Sequence, residues 1–187
     1  MNVRRIELGR LSPQVTVRRL VANQSSRNGL TPRLIVVHDT ESHNRPGNAD
    51  LAAIGEWFDN PAARASAHVC TDGDGNSGRF VADYAKAWSC VNYNGLSLNV
   101  EQIGGSTDPR LTWDHRLPEI RETARWLARW SLLHGIPLRR TSPDGHGVVR
   151  HMDLGVAGGN HNDPGPGYPL DDLIALARRY AYHLARR

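Results

Sequence analysis

The sequence is short of several features that mark whole functional classes. Its two cysteines, Cys70 and Cys90, are too few for a disulfide framework or a thiolate metal site, and both are expected as buried free thiols. Of its 23 basic residues only Lys86 is lysine. The arginines fall in scattered pairs (Arg4-Arg5, Arg18-Arg19, Arg139-Arg140, Arg178-Arg179, Arg186-Arg187) rather than in one run with interleaved aromatics, so nothing supports nucleic-acid binding. No window is apolar enough to suggest a membrane span, and membrane insertion is not expected. The basic N-terminus, MNVRRIELGRLSPQVTVRRL, lacks the apolar core of a secretory signal, so export by the general route is not expected either.

What is present suits one loop-rich globular domain. The chain has 187 residues, of which 39% are hydrophobic and 22% charged, with 18 Gly and 11 Pro spread along it. The net charge of +4 would draw the protein toward an anionic surface of any kind. There is no internal repeat and no linker. Residues 1–30 lack periodicity, carry a turn-like cluster around Asn23 to Gly29, and read as an N-terminal arm; residues 31–187 read as the domain proper.

The run Leu34-Ile35-Val36-Val37 predicts a strand buried on both faces, with His38 at its C-terminal end. Residues 50–58 predict a helix with Asp50 as N-cap, an apolar face of Leu51, Ile54, Trp57 and Phe58, and Pro61 as stop. Strands are expected at 66–71, 78–82 and 97–103, the first two joined by Asp72-Gly73-Asp74-Gly75-Asn76. That turn resembles a calcium loop, but the glutamate that should close it is aspartate at 83, so a hairpin is preferred. The longest helix is expected at 118–134, between a leading Pro and Gly135, with Trp126 and Trp130 as packing residues. A strand at 147–151, a Gly/Pro-rich loop from 155 to 167 and a last helix over 169–186 complete the chain.

Nine histidines invite metal chemistry. His43, His115, His146 and His183 stand alone in polar or turn surroundings, and His134 suits a helix C-terminus without any further role. His38 and His151 differ because each closes an apolar strand, where a rigid scaffold can bring two imidazoles together. A catalytic zinc takes three protein ligands and leaves one position open. Asp153, His161 and Asp163 are all candidates for the third, and spacing does not choose among them. Glu101 stands in an expected interior strand, sharing one face with Asn99 and Ile103 while Leu98 and Val100 take the other. A glutamate in that position is a candidate general base.

Taken in order, LIVVHDTE, SAHVCTDGDG, KAWS, SLNVEQIG, RHMDLG and HNDPGPGYP resemble the N-acetylmuramoyl-L-alanine amidases of the type-2 amidase family, which includes peptidoglycan recognition proteins and phage endolysins. The similarity runs from about Leu34 to Asp172 and is strongest to the amidase domains of actinobacteriophage endolysins. It implies an α/β fold, a single domain with a mixed central sheet flanked by helices and a zinc groove at one end of the sheet. It further implies zinc as cofactor, held by His38, His151 and Asp163, with Glu101 as the catalytic glutamate and Asp153 as a structural loop residue. Two positions depart from the family pattern. His161 stands where many members have a lysine that polarises the scissile carbonyl, and Ser89 stands after Trp88 where histidine is frequent. The implied activity is cleavage of the bond between N-acetylmuramic acid and L-alanine in bacterial peptidoglycan, by a monomer that acts on the wall after release. The competing readings are a non-catalytic peptidoglycan-binding module of the same fold and a muropeptide-recycling amidase.

Overall fold

A computed structural model describes residues 8–45 and 47–186; the Arg4-Arg5 pair, the start of the arm and Arg187 lie outside the described residues. In chain order the strands are β1 (Val15–Arg18), β2 (Gln24–Ser26), β3 (Leu34–Val37), β4 (Val69–Thr71), β5 (Ser77–Arg79), β6 (Ala85–Ala87), β7 (Ser97–Gln102) and β8 (Gly147–Arg150). The helices are α1 (Ala49–Asp59), α2 (Arg110–His115), α3 (Leu117–His134) and α4 (Leu170–Leu184). Six strands form one sheet in the order β1-β5-β4-β7-β3-β8, and β2 pairs with β6 in a second, two-stranded sheet. The large sheet is mixed: β4, β7, β3 and β8 run parallel, and the β4–β5 hairpin reverses direction.

Side chains alternate across these strands and divide the core in two. Ile35, Val37, Leu98, Val100 and Val148 pack under α3 and α4 with Trp113, Trp126, Trp130 and Tyr180. The opposite face is covered by α1, through Leu51 and Phe58, and by two separate segments, one carrying Cys90 and the other Leu154. Both cysteines are buried and free. Burial pushes the Cys90 thiol up to about 12, which leaves it a small apolar filler at neutral pH.

The leading arm lies along the domain. β1 pairs in parallel with β5, β2 pairs antiparallel with β6, and Leu11 and Val21 are buried. Arg27 anchors its end, donating to the carbonyls of Asp83 (2.9 Å), Gly95 (2.8 Å) and Ser97 (2.8 Å). These strands pair through backbone groups, so their side chains carry little periodicity.

Three expectations differ in detail. Asp50 is not the cap of α1: Asn48 holds that position without a side-chain bond, and the buried Asp50 carboxylate accepts from Arg45 instead. The strand expected from 66 starts at Val69, because the His68 carbonyl accepts from both Phe80 and Val81 and regular pairing ends there. The short helix α2 was not anticipated, since six residues hold too little periodicity to register. The Asp72–Asn76 turn is a hairpin, with the Asp72 carboxylate accepting from Asp74 N, Asn76 N and Asn76 Nδ2.

Candidate metal centre and active site

The parallel register builds the site. Val37 pairs with Val100 on one side and with Arg150 on the other, so the next residue of each strand lies in one row. Those residues are His38, Glu101 and His151, and the pleat turns all three to the face away from α3 and α4. His38 stays in the ladder, its N–H donating to Val100 O (2.9 Å) and its carbonyl accepting from Gln102 N (3.2 Å). His151 opens a 3-10 segment over His151–Gly158, which carries the chain away from the sheet. The following loop returns and is pinned by Met152 N–H donating to Asp163 O (2.7 Å), which sets the Asp163 side chain against both imidazoles.

His38, His151 and Asp163 form a group able to hold a metal ion, each offering one ligand atom and all three buried. His38 Nε2 donates to Asn99 Oδ1 (3.0 Å) and His151 Nε2 donates to Gly158 O (2.9 Å). In the neutral rings this tautomer leaves a lone pair on each Nδ1, and the two Nδ1 atoms face each other 3.0 Å apart. Asp163 completes the triangle, with Oδ1 3.0 Å from His151 Nδ1 and Oδ2 3.6 Å from His38 Nδ1. Two lone pairs at that distance repel unless a proton or a cation lies between them. Ligand atoms of a tetrahedral zinc, at bonds of about 2.0–2.1 Å, stand roughly 3.4 Å apart. The donor set, its spacing and the carbonyl-type acceptors on the far nitrogens all fit that ion.

The electrostatics agree. Burial opposes ionisation of Asp163, but the hydrogen bonds and charges of His151 and His38 outweigh it and hold the carboxyl well below the usual range. Burial, then the neighbouring His151, hold His38 below the usual imidazole range against the pull of Asp163. Glu101 lies beside the triad with Oε1 4.0 Å from His38 Nδ1, and its Oε2 has no hydrogen-bond partner. Burial, then Asp163 and Asp39, push it well up. His161 is outside the metal-holding group but adjoins it: its ring stacks on His151 at 4.2 Å and its Nδ1 lies 3.4 Å from Asp163 Oδ1, while 55% of its side chain is exposed. A groove of about 400 Å³ runs over these residues, walled by Ile54, Trp57 and Phe58 of α1 and by Arg64, Trp88, Ser89 and Glu41.

The profile of the N-acetylmuramoyl-L-alanine amidase family matches residues 28–166. The chain belongs to this family. N-acetylmuramoyl-L-alanine amidase A of Achromobacter lyticus is 36% identical over 53 residues, which span 28% of this chain and 30% of that protein. Among solved structures, the Staphylococcus aureus hydrolase AmiA in complex with its ligand aligns with a TM-score of 0.72 at 21% identity, over 94% of this chain and 86% of that one. An AmpD structure aligns at 0.67 and 19% identity over 91% and 98% of the two chains. The amidase LysC of Clostridium intestinale aligns at 0.61 and 14% over 88% and 97%. At these identities the likeness establishes the shared amidase fold: a mixed α/β domain with a central, mostly parallel sheet.

Of the residues singled out in the sequence, His38, Glu101, His151, His161 and Asp163 all line one groove of this amidase-family chain. Asp153 stands apart and pairs with Arg150 (2.7 Å) and Arg140 (3.6 Å), a structural role. Three neighbours were not read as functional. Asn99 fixes the His38 ring, and its place on the Glu101 face was the available signal. Asp39 lines the groove with a buried, unpartnered Oδ2, and burial followed by Asp163 and Glu41 raises it to about 7. His68 is fully buried and accepts from Asn99 N–H through Nδ1 (3.0 Å), a contact that no sequence pattern announces.

Proposed function

We propose that this amidase-family chain is a zinc-dependent peptidoglycan hydrolase that cleaves the amide between N-acetylmuramic acid and L-alanine, in the manner of an endolysin acting on the wall after release. The observation that carries the reading is the convergence of the two Nδ1 atoms and the Asp163 carboxylate at 3.0–3.6 Å, beside a glutamate with a free oxygen. His38, His151 and Asp163 would hold the ion. When bound, zinc supplies a Lewis acid that acidifies water and polarises a carbonyl.

Everything else is work for this chain's side chains. Glu101 takes a proton from the attacking water at Oε2 and returns it to the leaving amine. Its carboxyl is pushed up by burial and by Asp163 and Asp39, and positive charge held by His38, His151 and Asp163 would favour the ionised form that a base needs. His161, exposed toward the groove, donates to the carbonyl oxygen as charge grows there. Asn99 and Gly158 O keep the imidazoles turned. A binding module of the same fold would need no complete donor set, and here the set is complete.

The test pairs elemental analysis of the purified protein with digestion of purified peptidoglycan. One zinc per chain and new peptide amino termini without new reducing ends are expected. A metal-free protein that binds the wall without releasing amino groups would overturn the reading. Faster turnover of soluble muropeptides than of whole wall would move the role to recycling.

A further inference from the structure

On the sheet face opposite the groove, three arginines from three elements meet around a second, smaller pocket. β1 and β5 run parallel and set Arg18 directly opposite Arg79. Like charges so placed repel. Arg129 on α3 adds a third guanidinium, and its charge and that of Arg18 both act on Arg79. Arg79 cannot move away: its side chain is only 12% exposed and its guanidinium lies 5.4 Å over the Trp126 ring. One carboxylate, Asp83, answers them, and it already accepts from Arg79 Nη2, from Trp130 Nε1 (3.1 Å) and from His134 Nε2 (2.9 Å). Arg79 Nη1 remains buried with no partner. Among the described residues Arg18 and Arg129 form no ion pair, and both are exposed at the rim. The pocket between them holds about 280 Å³, enough for an anionic group and the first atoms of whatever carries it.

We infer that this pocket binds a phosphate group. Guanidinium forks approaching from two strands and a helix offer donors from several directions, which suits a tetrahedral oxyanion, whereas a planar carboxylate is satisfied by a single fork. An anion there would offset the Arg18–Arg79 repulsion and give the orphaned Nη1 a counter-charge. The site shares no lining residue with the amidase groove, so it would act as a holding site while the groove stays open. The phosphate could arrive as the free ion or as a phosphodiester within a polyol polymer, and the two sources separate experimentally.

The experiment is calorimetric titration of the full chain at constant ionic strength with inorganic phosphate and, in a parallel arm, with poly(glycerol phosphate). The comparison protein is the double variant Arg18→Ala/Arg129→Ala. Saturable binding by the parent and at least tenfold weaker binding by the double variant are expected. Binding of both probes identifies a phosphodiester ligand, and binding of phosphate alone identifies the free ion. Because both arginines are exposed, the unfolding midpoint in chloride should not move. Should it fall, Arg129→Gln alone serves as the variant, with a partial loss of binding expected. Equal affinity in parent and variant, or no saturable binding of either probe, overturns the inference. Hydrolysis of a soluble muropeptide should be the same in both proteins, so this result stands apart from the amidase reading.

Discussion

The two faces of β3 and β7 carry residues of the same strands, yet one is sealed and the other is left electrically unfinished. Under α3 and α4, Ile35, Val37, Leu98 and Val100 are fully buried among other apolar side chains. One residue along, on the reverse face, Val36 gives way to His38, and Asn99 and Glu101 replace what would be aliphatic positions. There the buried groups are polar, two lone pairs face each other at 3.0 Å, and the oxygens Glu101 Oε2 and Asp39 Oδ2 lack partners. The first face stabilises the sheet, and the second spends part of that stability on a buried donor set able to hold a metal ion. Polar groups buried without partners cost on the order of 1–3 kcal/mol each. A sheet end can carry them only because the other face supplies the excess.

That contrast can be broken from either side. The largest effect should come from Asp163→Ala, which removes one corner of the triangle. Zinc content and amidase activity should fall together to background, whereas Asp153→Ala should keep the metal and cost stability through its lost arginine pairs. Full zinc occupancy in the Asp163 variant would remove this residue from the ligand set. Glu101→Gln comes next: metal content and unfolding midpoint unchanged, turnover down about a thousandfold, because an amide cannot accept the water proton. Near-parental rates would assign the base elsewhere. His161→Ala should retain zinc and slow turnover by about a hundredfold, the usual cost of one lost donor to a developing oxyanion; loss of metal in that variant would instead make His161 a ligand.

On the sealed face the sign of the readout reverses. Leu98→Ala should cost about 2–5 kcal/mol in urea unfolding while zinc stoichiometry and kcat of the folded fraction hold. A variant that also lost zinc would show that the faces are coupled more tightly than the alternation suggests.

The smallest effect concerns pH. His68 is pushed down to about 3, first by burial and then by Arg27 and Arg79, so it is neutral in the fold. In the unfolded chain it takes up a proton near pH 6.5. Its contribution is complete above that pH and is lost as pH falls from 6.5 toward 3, amounting to about 2 kcal/mol by pH 5. The fall in unfolding free energy between pH 7 and pH 5 should therefore be shallower in His68→Gln. An identical slope would mean that His68 titrates alike in both states.

The sequence by itself determined the strands at 34–37 and 97–103, the helix at 118–134 and the hairpin at 72–76, each within a residue of the observed element, because each rests on local physics: an apolar run, a helical stripe closed by Gly135, an Asp-Gly turn. The motifs also carried the family, and with it the five residues that line the groove. From spacing alone the choice among Asp153, His161 and Asp163 stayed open, since the stretch after the last strand has no periodicity to orient its side chains. The family resemblance pointed to Asp163, and the tertiary structure brings that residue beside both imidazoles through the backbone bond from Met152 N–H to Asp163 O and through the register that puts His38, Glu101 and His151 in one row. Tertiary structure alone decided the place of residues 8–30, whose strands pair by backbone and whose Arg27 finds its carbonyls 56 or more residues away. It alone brought Arg18, Arg79 and Arg129 together. Contacts of that range depend on how the sheet is ordered, and strand order is set by the packing of the whole chain rather than by any segment of it.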